Sequence, residues 1–180
     1  LHYIRSENME SPPSTMKAVK IDEAGGRLVI REVPVPVPGK NEVLVKIAAA
    51  PVNPSDIARL RRGLFDASSY TPGLEGSGIV IASGRGFIPY IMLGKRVACT
   101  SEHPESGTWA EYMVTKTGRC FPLASKIDYI QGSMSMVNPL TALAFIDEAK
   151  KGRHKAIINN AAASALGRMV ELIGNKHGIP

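Results

Sequence analysis

The stretch Lys155-Ala156-Ile157-Ile158-Asn159-Asn160-Ala161-Ala162-Ala163-Ser164-Ala165-Leu166-Gly167 constrains this chain more than any other. It opens on a short apolar run with the character of a buried parallel strand. It then passes through small residues into a helical pattern, Arg168-Met169-Val170-Glu171-Leu172-Ile173, that runs on to Lys176-His177-Gly178. Strand, tight turn and helix in that order predict the start of an α/β layer. A helix N-terminus offers unpaired N–H groups and the positive end of a dipole, and a turn of small side chains lets a diphosphate approach the backbone. Ala162-x-Ser164-x-x-Gly167 fills the G-x-G-x-x-G frame with a single glycine, so an ordinary strand–helix connection packed by alanines meets the same pattern. The upstream chain has to decide between the two.

Upstream, Met16-Lys17-Ala18-Val19-Lys20-Ile21 and Leu28-Val29-Ile30-Arg31-Glu32-Val33 read as strands around an Asp22-to-Gly26 turn. The prolines of Val33-to-Gly39 each remove a donor, so that segment is an extended edge or crossing. Glu42–Ala50 is the longest strand candidate, and its apolar C-terminal half predicts burial on both faces. Asn53 precedes Pro54 and is pushed into an extended conformation. Ser55 or Asp56 then suits the cap of a short helix through Ile57-Ala58-Arg59-Leu60. Glycine-rich Gly73–Ile81, Gly94–Cys99 and Trp109–Val114 follow as further strands. Short strands at this spacing, with glycine and proline between them, predict a barrel or sandwich over residues 16–125. Beyond Pro122, Asp128 suits the cap of a short helix. A stronger helix runs through Asn138-Pro139-Leu140-Thr141 to Lys150, with Asn138 as cap, Pro139 in the first turn and Gly152 at the exit.

Composition excludes several classes. The 180 residues are 44% hydrophobic and carry a formal charge of +6, which is enough for one full domain and part of another. Arg59, Arg61 and Arg62, with a looser group at Lys150, Lys151, Arg153 and Lys155, are not interleaved with stacking aromatics, so nucleic acid is not a predicted partner. No apolar run reaches the ~20 residues of a membrane span. Cys99 and Cys120 make neither a disulfide framework nor a four-cysteine metal site; they read as buried packing residues in a reducing compartment. Residues 1–15 read as a flexible lead, and Glu7 and Glu10 argue against a transit segment.

In order, the chain holds Met16-Lys17-Ala18, Pro38-Gly39-x-x-Glu42-Val43-Leu44-Val45, Val52-Asn53-Pro54-Ser55-Asp56 and Glu75-Gly76-Ser77-Gly78-x-Val80. Gly94-Lys95-Arg96-Val97, Gly107-Thr108-Trp109-Ala110-Glu111-Tyr112, Asn138-Pro139-Leu140-Thr141-Ala142 and the Ala161-to-Gly167 turn follow. In this succession the chain resembles the medium-chain dehydrogenase/reductase superfamily, in its zinc-free quinone oxidoreductase and enoyl reductase branches, over Met16 to Pro180. The resemblance implies an α+β chain: a GroES-like β-barrel catalytic domain at 16–125, then at 126–180 the first β-α unit of a Rossmann domain, incomplete here. It implies NADPH or NADH as cofactor, a small-molecule substrate, and hydride transfer to a quinone, alkenal or enoyl-type acceptor. Asn53 would serve the nicotinamide–ribose end and Thr141 the carboxamide as positioning residues. Asn138, Ala162, Ala163, Ser164, Ala165, Leu166 and Gly167 would complete the cofactor site. Read without the family, Asn53 is a turn former before proline and Thr141 an ordinary helix residue.

Zinc-dependent relatives place a cysteine near the Asn53–Asp56 segment and a His-Glu pair where this chain has Leu74-Glu75. Neither the cysteine nor the histidine is present, and the four histidines show no ligand spacing, so no metal is expected. The enoyl thioester branch carries a tyrosine proton donor close to where this chain has Phe65, which has no hydroxyl. Tyr70 would substitute only if the loop folds back. The residue that reads the ribose 2′ position lies about twenty residues beyond the turn, so NADP and NAD are not distinguished. A strand at Ile157-Ile158 has no partner strand in the chain, which predicts either a fragment or a sheet completed by another copy or a larger assembly. A non-catalytic docking subunit and, more remotely, a co-chaperonin are the competing readings. The expected compartment is the cytoplasm, with the mitochondrial matrix as alternative.

Overall fold

The computed structural model describes residues 11–22, 26–62, 69–103 and 105–180. Residues 1–10 of the lead, turn residues 23–25 and the Phe65 position lie outside them. Two compact units are present: one ends at Met134 and the other runs from Ser135 to Pro180.

In the first unit, β1 (Thr15–Ile21) and β2 (Leu28–Pro34) form an antiparallel hairpin with Met16 opposite Val33 and Ile21 opposite Leu28. The prolines that follow Pro34 carry no strand, as their missing donors require. A five-stranded antiparallel sheet is built from β3 (Glu42–Ala49), β4 (Glu75–Ser83), β5 (Arg96–Thr100), β6 (Tyr112–Lys116) and β7 (Cys120–Pro122), in the order β6-β3-β4-β5-β7. The buried Thr115 hydroxyl of β6 donates to the Thr100 carbonyl of β5 at 2.8 Å, joining two strands that are not neighbours in the sheet order. The hairpin joins through Val19 N–H to Trp109 O and Glu111 N–H to Lys17 O, at 2.9 and 3.1 Å. This is the β-rich unit that the spacing of short strands predicts.

Alternation along the strands divides the core. Val43, Val45, Val80, Val97, Cys99, Met113 and Cys120 pack together, while Leu44, Ile81, Ala82, Tyr112 and Val114 face Met16 and Ala18 of β1. In β3 the fully buried residues are Val43, Leu44 and Val45, in the N-terminal half, and Ala48 is exposed. The expectation of a buried C-terminal half is therefore corrected. Register shifts between Leu44 and Val45 and between Ile47 and Ala49 turn the end of the strand out of the two-sided core. Gly78 is what allows this bend, because a β-carbon there would lie 2.0 Å from the Lys46 carbonyl oxygen.

Three short elements complete the unit. Helix α1 (Pro54–Arg62) starts earlier than expected, and Asn53, rather than Ser55 or Asp56, stands at the position before it. A single turn, α2 (Phe87–Ile91), and β7 were not legible; Pro89 interrupts the first, and the second is only three residues long. Helix α3 (Tyr129–Ser133) is capped by Asp128, whose carboxylate accepts from Gln131 N–H, as expected. It belongs to the barrel side of the change near residue 125. Arg96 lies over the Tyr129 ring at 4.7 Å, and the Ser77 hydroxyl donates to Tyr129 O.

The second unit pairs α4 (Val137–Lys151) with α5 (Ala165–Lys176) through Ala142, Ile146, Ala149, Val170 and Ile179. Asn138 is inside α4 rather than its cap, because the helix begins one residue before it. Pro139 does occupy the first turn, where a missing N–H costs nothing, and Gly152 does end the helix. Ala156–Asn159 is not hydrogen-bonded as a strand, and Ile158 is 99% exposed. A strand exists only by pairing, and no neighbour for it is present among the described residues.

Replacing Gly78 by alanine is expected to lower the unfolding free energy by about 3 kcal/mol. Gly94→Ala, at φ 71° in open space, is expected to cost only about 1 kcal/mol. Denaturant unfolding of the two variants checks the difference.

Candidate functional site

The scattered motifs of the barrel converge around Asn53. Pro54 starts α1 with φ already set for a helix. The Asp56 carboxylate, three residues past Asn53, reaches back to the Asn53 backbone N–H at 2.8 Å, as the acidic member of a capping box does. The second oxygen of the same carboxylate accepts Leu74 N–H at 3.0 Å, which ties the start of α1 to the approach to β4. The Asn53 side chain does not cap the helix. Its Nδ2 donates to Glu75 Oε1 at 3.0 Å. Thr108 Oγ1 donates to the Glu75 carbonyl at 2.7 Å, and Trp109 Nε1 to the Pro51 carbonyl at 3.1 Å. Residues 51–56, 73–76 and 107–109 thus form one hydrogen-bonded cluster.

Asn53, Asp56, Glu75 and Thr108 are all buried, and Asp56 is fully so. Burial pushes the Asp56 carboxyl above the ordinary carboxylate range; the two backbone N–H groups and Arg59 pull it back, and Glu75 adds to the rise. Tyr70 is folded inward and 4% exposed. Burial raises its phenol, opposed by Arg59 and reinforced by Asp56. Tyr70 is thus a buried side chain, and the loop residues 63–68 before it lie outside the described residues. Glu75 and Thr108 were missed as functional candidates, although Leu74-Glu75 had been singled out as the place of a metal-ligand pair; no local pattern shows that a glutamate bonds an asparagine twenty-two residues earlier.

In the second unit, Ser164 caps α5, its Oγ accepting Gly167 N–H at 2.9 Å. Ala161 N–H is held by Asn159 Oδ1 at 2.9 Å, and Ser164 N–H by Ala161 O at 2.9 Å, so the turn is fixed by its own polar groups. Gly167 is buried, and a β-carbon there would lie 2.3 Å from Ala161 O and 2.6 Å from Ala162 O. The one retained glycine of the frame is therefore the one that seats the helix against the incoming chain. Ala162, Ala163, Ser164 and Ala165 are exposed, and Leu166 is half-buried. A hollow of about 240 Å³, lined by Ile157, Asn159, Ala162, Gly167 and Val170 among others, lies beside the turn. On α4, the Thr141 hydroxyl donates to Val137 O at 2.7 Å, so its proton is engaged within the helix, and Asn138 is half-buried.

Among the described residues, no group of three or more His, Cys, Asp and Glu side chains is placed to hold a metal ion, and no helix is long and apolar enough to cross a membrane. Cys99 and Cys120 face each other across β5 and β7, both buried and free. Burial pushes the Cys99 thiol well up and that of Cys120 up to about 12, which leaves them as packing groups.

A family profile described as the alcohol dehydrogenase GroES-like domain matches residues 39–125. The chain is 29% identical over 178 residues to the quinone oxidoreductase of Rattus norvegicus, an alignment covering 95% of this chain and 53% of that protein. It is 33% identical over 180 residues to the mitochondrial enoyl-[acyl-carrier-protein] reductase of Arabidopsis thaliana, covering 94% of this chain and 45% of that one. The crystal structure of a candidate NADPH:quinone reductase from Mesorhizobium loti matches with a TM-score of 0.81 at 30% identity, covering 94% of this chain and 54% of the other. The chain spans about half the length of the curated relatives it matches.

The raised Asp56 carboxyl fixes the sign of a pH effect. A group that binds its proton more tightly in the folded state adds stability below its unfolded pKa and loses it as pH rises through the folded one. The stability of the native protein relative to Asp56→Asn is therefore expected to rise as pH falls from about 7 towards 4. Urea unfolding of both proteins across that range checks it; a difference that falls or stays flat contradicts the assignment.

Proposed function

From its similarity to the alcohol dehydrogenase GroES-like domain, to quinone oxidoreductases and to an enoyl reductase, we propose that the chain is part of a medium-chain dehydrogenase/reductase: a zinc-independent, NAD(P)H-dependent oxidoreductase that transfers hydride to a quinone, alkenal or enoyl-type acceptor. The observation that carries this reading is the Ala161–Gly167 turn. From Ala161 to Ala165 its side chains are methyl groups and a capping hydroxyl, Leu166 is half-buried, and its glycine is in a place that admits no side chain. With the Ala161, Ser164 and Gly167 amides bonded within the turn, those of Ala162, Ala163, Ala165 and Leu166 are the ones a diphosphate would meet at the helix start. A reduced nicotinamide, when bound, supplies the hydride; the residues of this chain bind and orient it.

In this proposal Ala162, Ala163, Ser164, Ala165, Leu166 and Gly167 follow the pyrophosphate. Asn53 serves the nicotinamide–ribose end, and Asn138 and Thr141 the carboxamide side. Thr141, with its proton given to Val137 O, would meet a ligand as an acceptor through its remaining lone pair. Zinc independence is supported by the residues at the two places where zinc-dependent relatives hold ligands. Here they are Asn53 and Leu74, and the neighbouring carboxylates are spent on Asn53 and backbone N–H groups. With Tyr70 turned inward, the proton that follows the hydride is assigned to solvent, which favours quinones and alkenals over enoyl thioesters. A reducing compartment, cytoplasm or mitochondrial matrix, suits two buried free thiols.

NADPH oxidation by the whole protein, with a benzoquinone as acceptor and a metal chelator present, tests the reading. Turnover unaffected by the chelator is expected; dependence on zinc, or no NADPH binding, refutes it. Gly167→Val is expected to weaken NADPH binding by at least about tenfold, with the barrel's unfolding unchanged.

A further inference from the structure

We infer that Glu75 is a positioning residue for the site: it holds the Asn53 carboxamide with Nδ2 turned inward, so that Oδ1 is the atom offered to a ligand. The identity of that ligand rests on the reductase reading, whereas the orientation of the amide does not.

Asn53 is anchored twice. Asp56 Oδ2 takes its backbone N–H at 2.8 Å, and Glu75 Oε1 takes its Nδ2 at 3.0 Å. A carboxylate oxygen accepts, so the amide nitrogen must be the atom that faces Glu75. Among the described residues no donor reaches Asn53 Oδ1, and the only buried side-chain oxygen left without a partner is on Glu102. Oδ1 therefore belongs to the small open part of a residue that is 7% exposed. A carbonyl oxygen can only accept, so the group that meets it must bring an O–H or N–H. A ribose hydroxyl qualifies, as does the amide of a carboxamide; a phosphate or carboxylate does not.

The presence of a carboxylate at 75 also needs a reason. Glu75 is 1% exposed, at the first residue of β4, and its backbone is already secured by Thr108 and by pairing with Thr100. A buried charge is expensive unless fully bonded, and an apolar residue of similar volume is often neutral or stabilising in its place. A glutamate here gives Asn53 Nδ2 an acceptor that an apolar residue would not, and so sets the orientation of the amide.

The test uses the whole protein and two readouts: NADPH affinity and hydrogen exchange of the Asn53 side-chain NH₂ followed by NMR. In the native protein those protons are expected to exchange slowly. Glu75→Met, which removes the acceptor and keeps the bulk, is expected to speed their exchange and weaken NADPH binding about tenfold, with a lower melting temperature because one buried amide donor is left unpaired. Glu75→Gln, whose amide oxygen still accepts, should restore most of the affinity. If the methionine variant does not fold, Asn53→Asp supplies the same test. It sets two carboxylates against each other, and adding Glu75→Gln should recover both folding and NADPH binding by reversing the donor. Native affinity in Glu75→Met, failure of Glu75→Gln to rescue Asn53→Asp, or fast exchange in the native protein overturns the inference. A native protein that shows protected amide protons but binds no NADPH overturns the reductase reading and upholds the clamp.

Discussion

Two buried carboxylates, Asp56 and Glu75, hold the barrel's site together. Asp56 and Glu75 each take a group out of water that would cost several kcal/mol if left unbonded. Each recovers that cost by accepting from Asn53, and Asp56 also from Leu74. Because Asp56 lies on α1 and Glu75 on β4, while their donors are Asn53, between β3 and α1, and Leu74, on the approach to β4, satisfying the carboxylates forces those segments together. Thr108 and Trp109 add hydrogen bonds from the far side of the chain. The barrel core beneath is apolar and alternates normally, so it fixes where the strands run, while the polar cluster fixes what faces outward at their ends.

The second unit solves a different problem with different means. The proposed contact with a diphosphate would need exposed amides and a rigid shape at once. Rigidity comes from Asn159, Ser164 and Ala161 bonding the turn's own backbone, and exposure from the absence of any side chain larger than a methyl at Ala162 and Ala163. Gly167 serves packing rather than ligand approach, since its missing β-carbon is replaced by the carbonyls of Ala161 and Ala162.

Much of this was legible from residue order alone. The strand cadence between Met16 and Val114, the proline-marked exit from β2, the Asp128 cap and the Gly152 stop follow from local chemistry and are present in the fold. Misjudgements fell where local rules compete. Asn53, Ser55 and Asp56 are all good cap residues, and which one stands at the start of α1 was decided by Asp56 reaching back to Asn53 and across to Leu74. The buried half of β3 was misplaced because bulges, not composition, turn Ala48 outward. Ile157 and Ile158 have the residues of a strand, but a strand requires a partner.

What the sequence by itself determined is therefore periodic or punctuating: which stretches extend, which coil, where they stop, and that the 161–167 turn is small enough to approach. Each depends on neighbours within a few positions. Only the tertiary structure decided that Glu75 grips Asn53, that Tyr70 turns inward and that the Asp56 carboxyl is raised. Those outcomes depend on groups distant along the chain and on the removal of water around them, and neither quantity is written in any local run of residues.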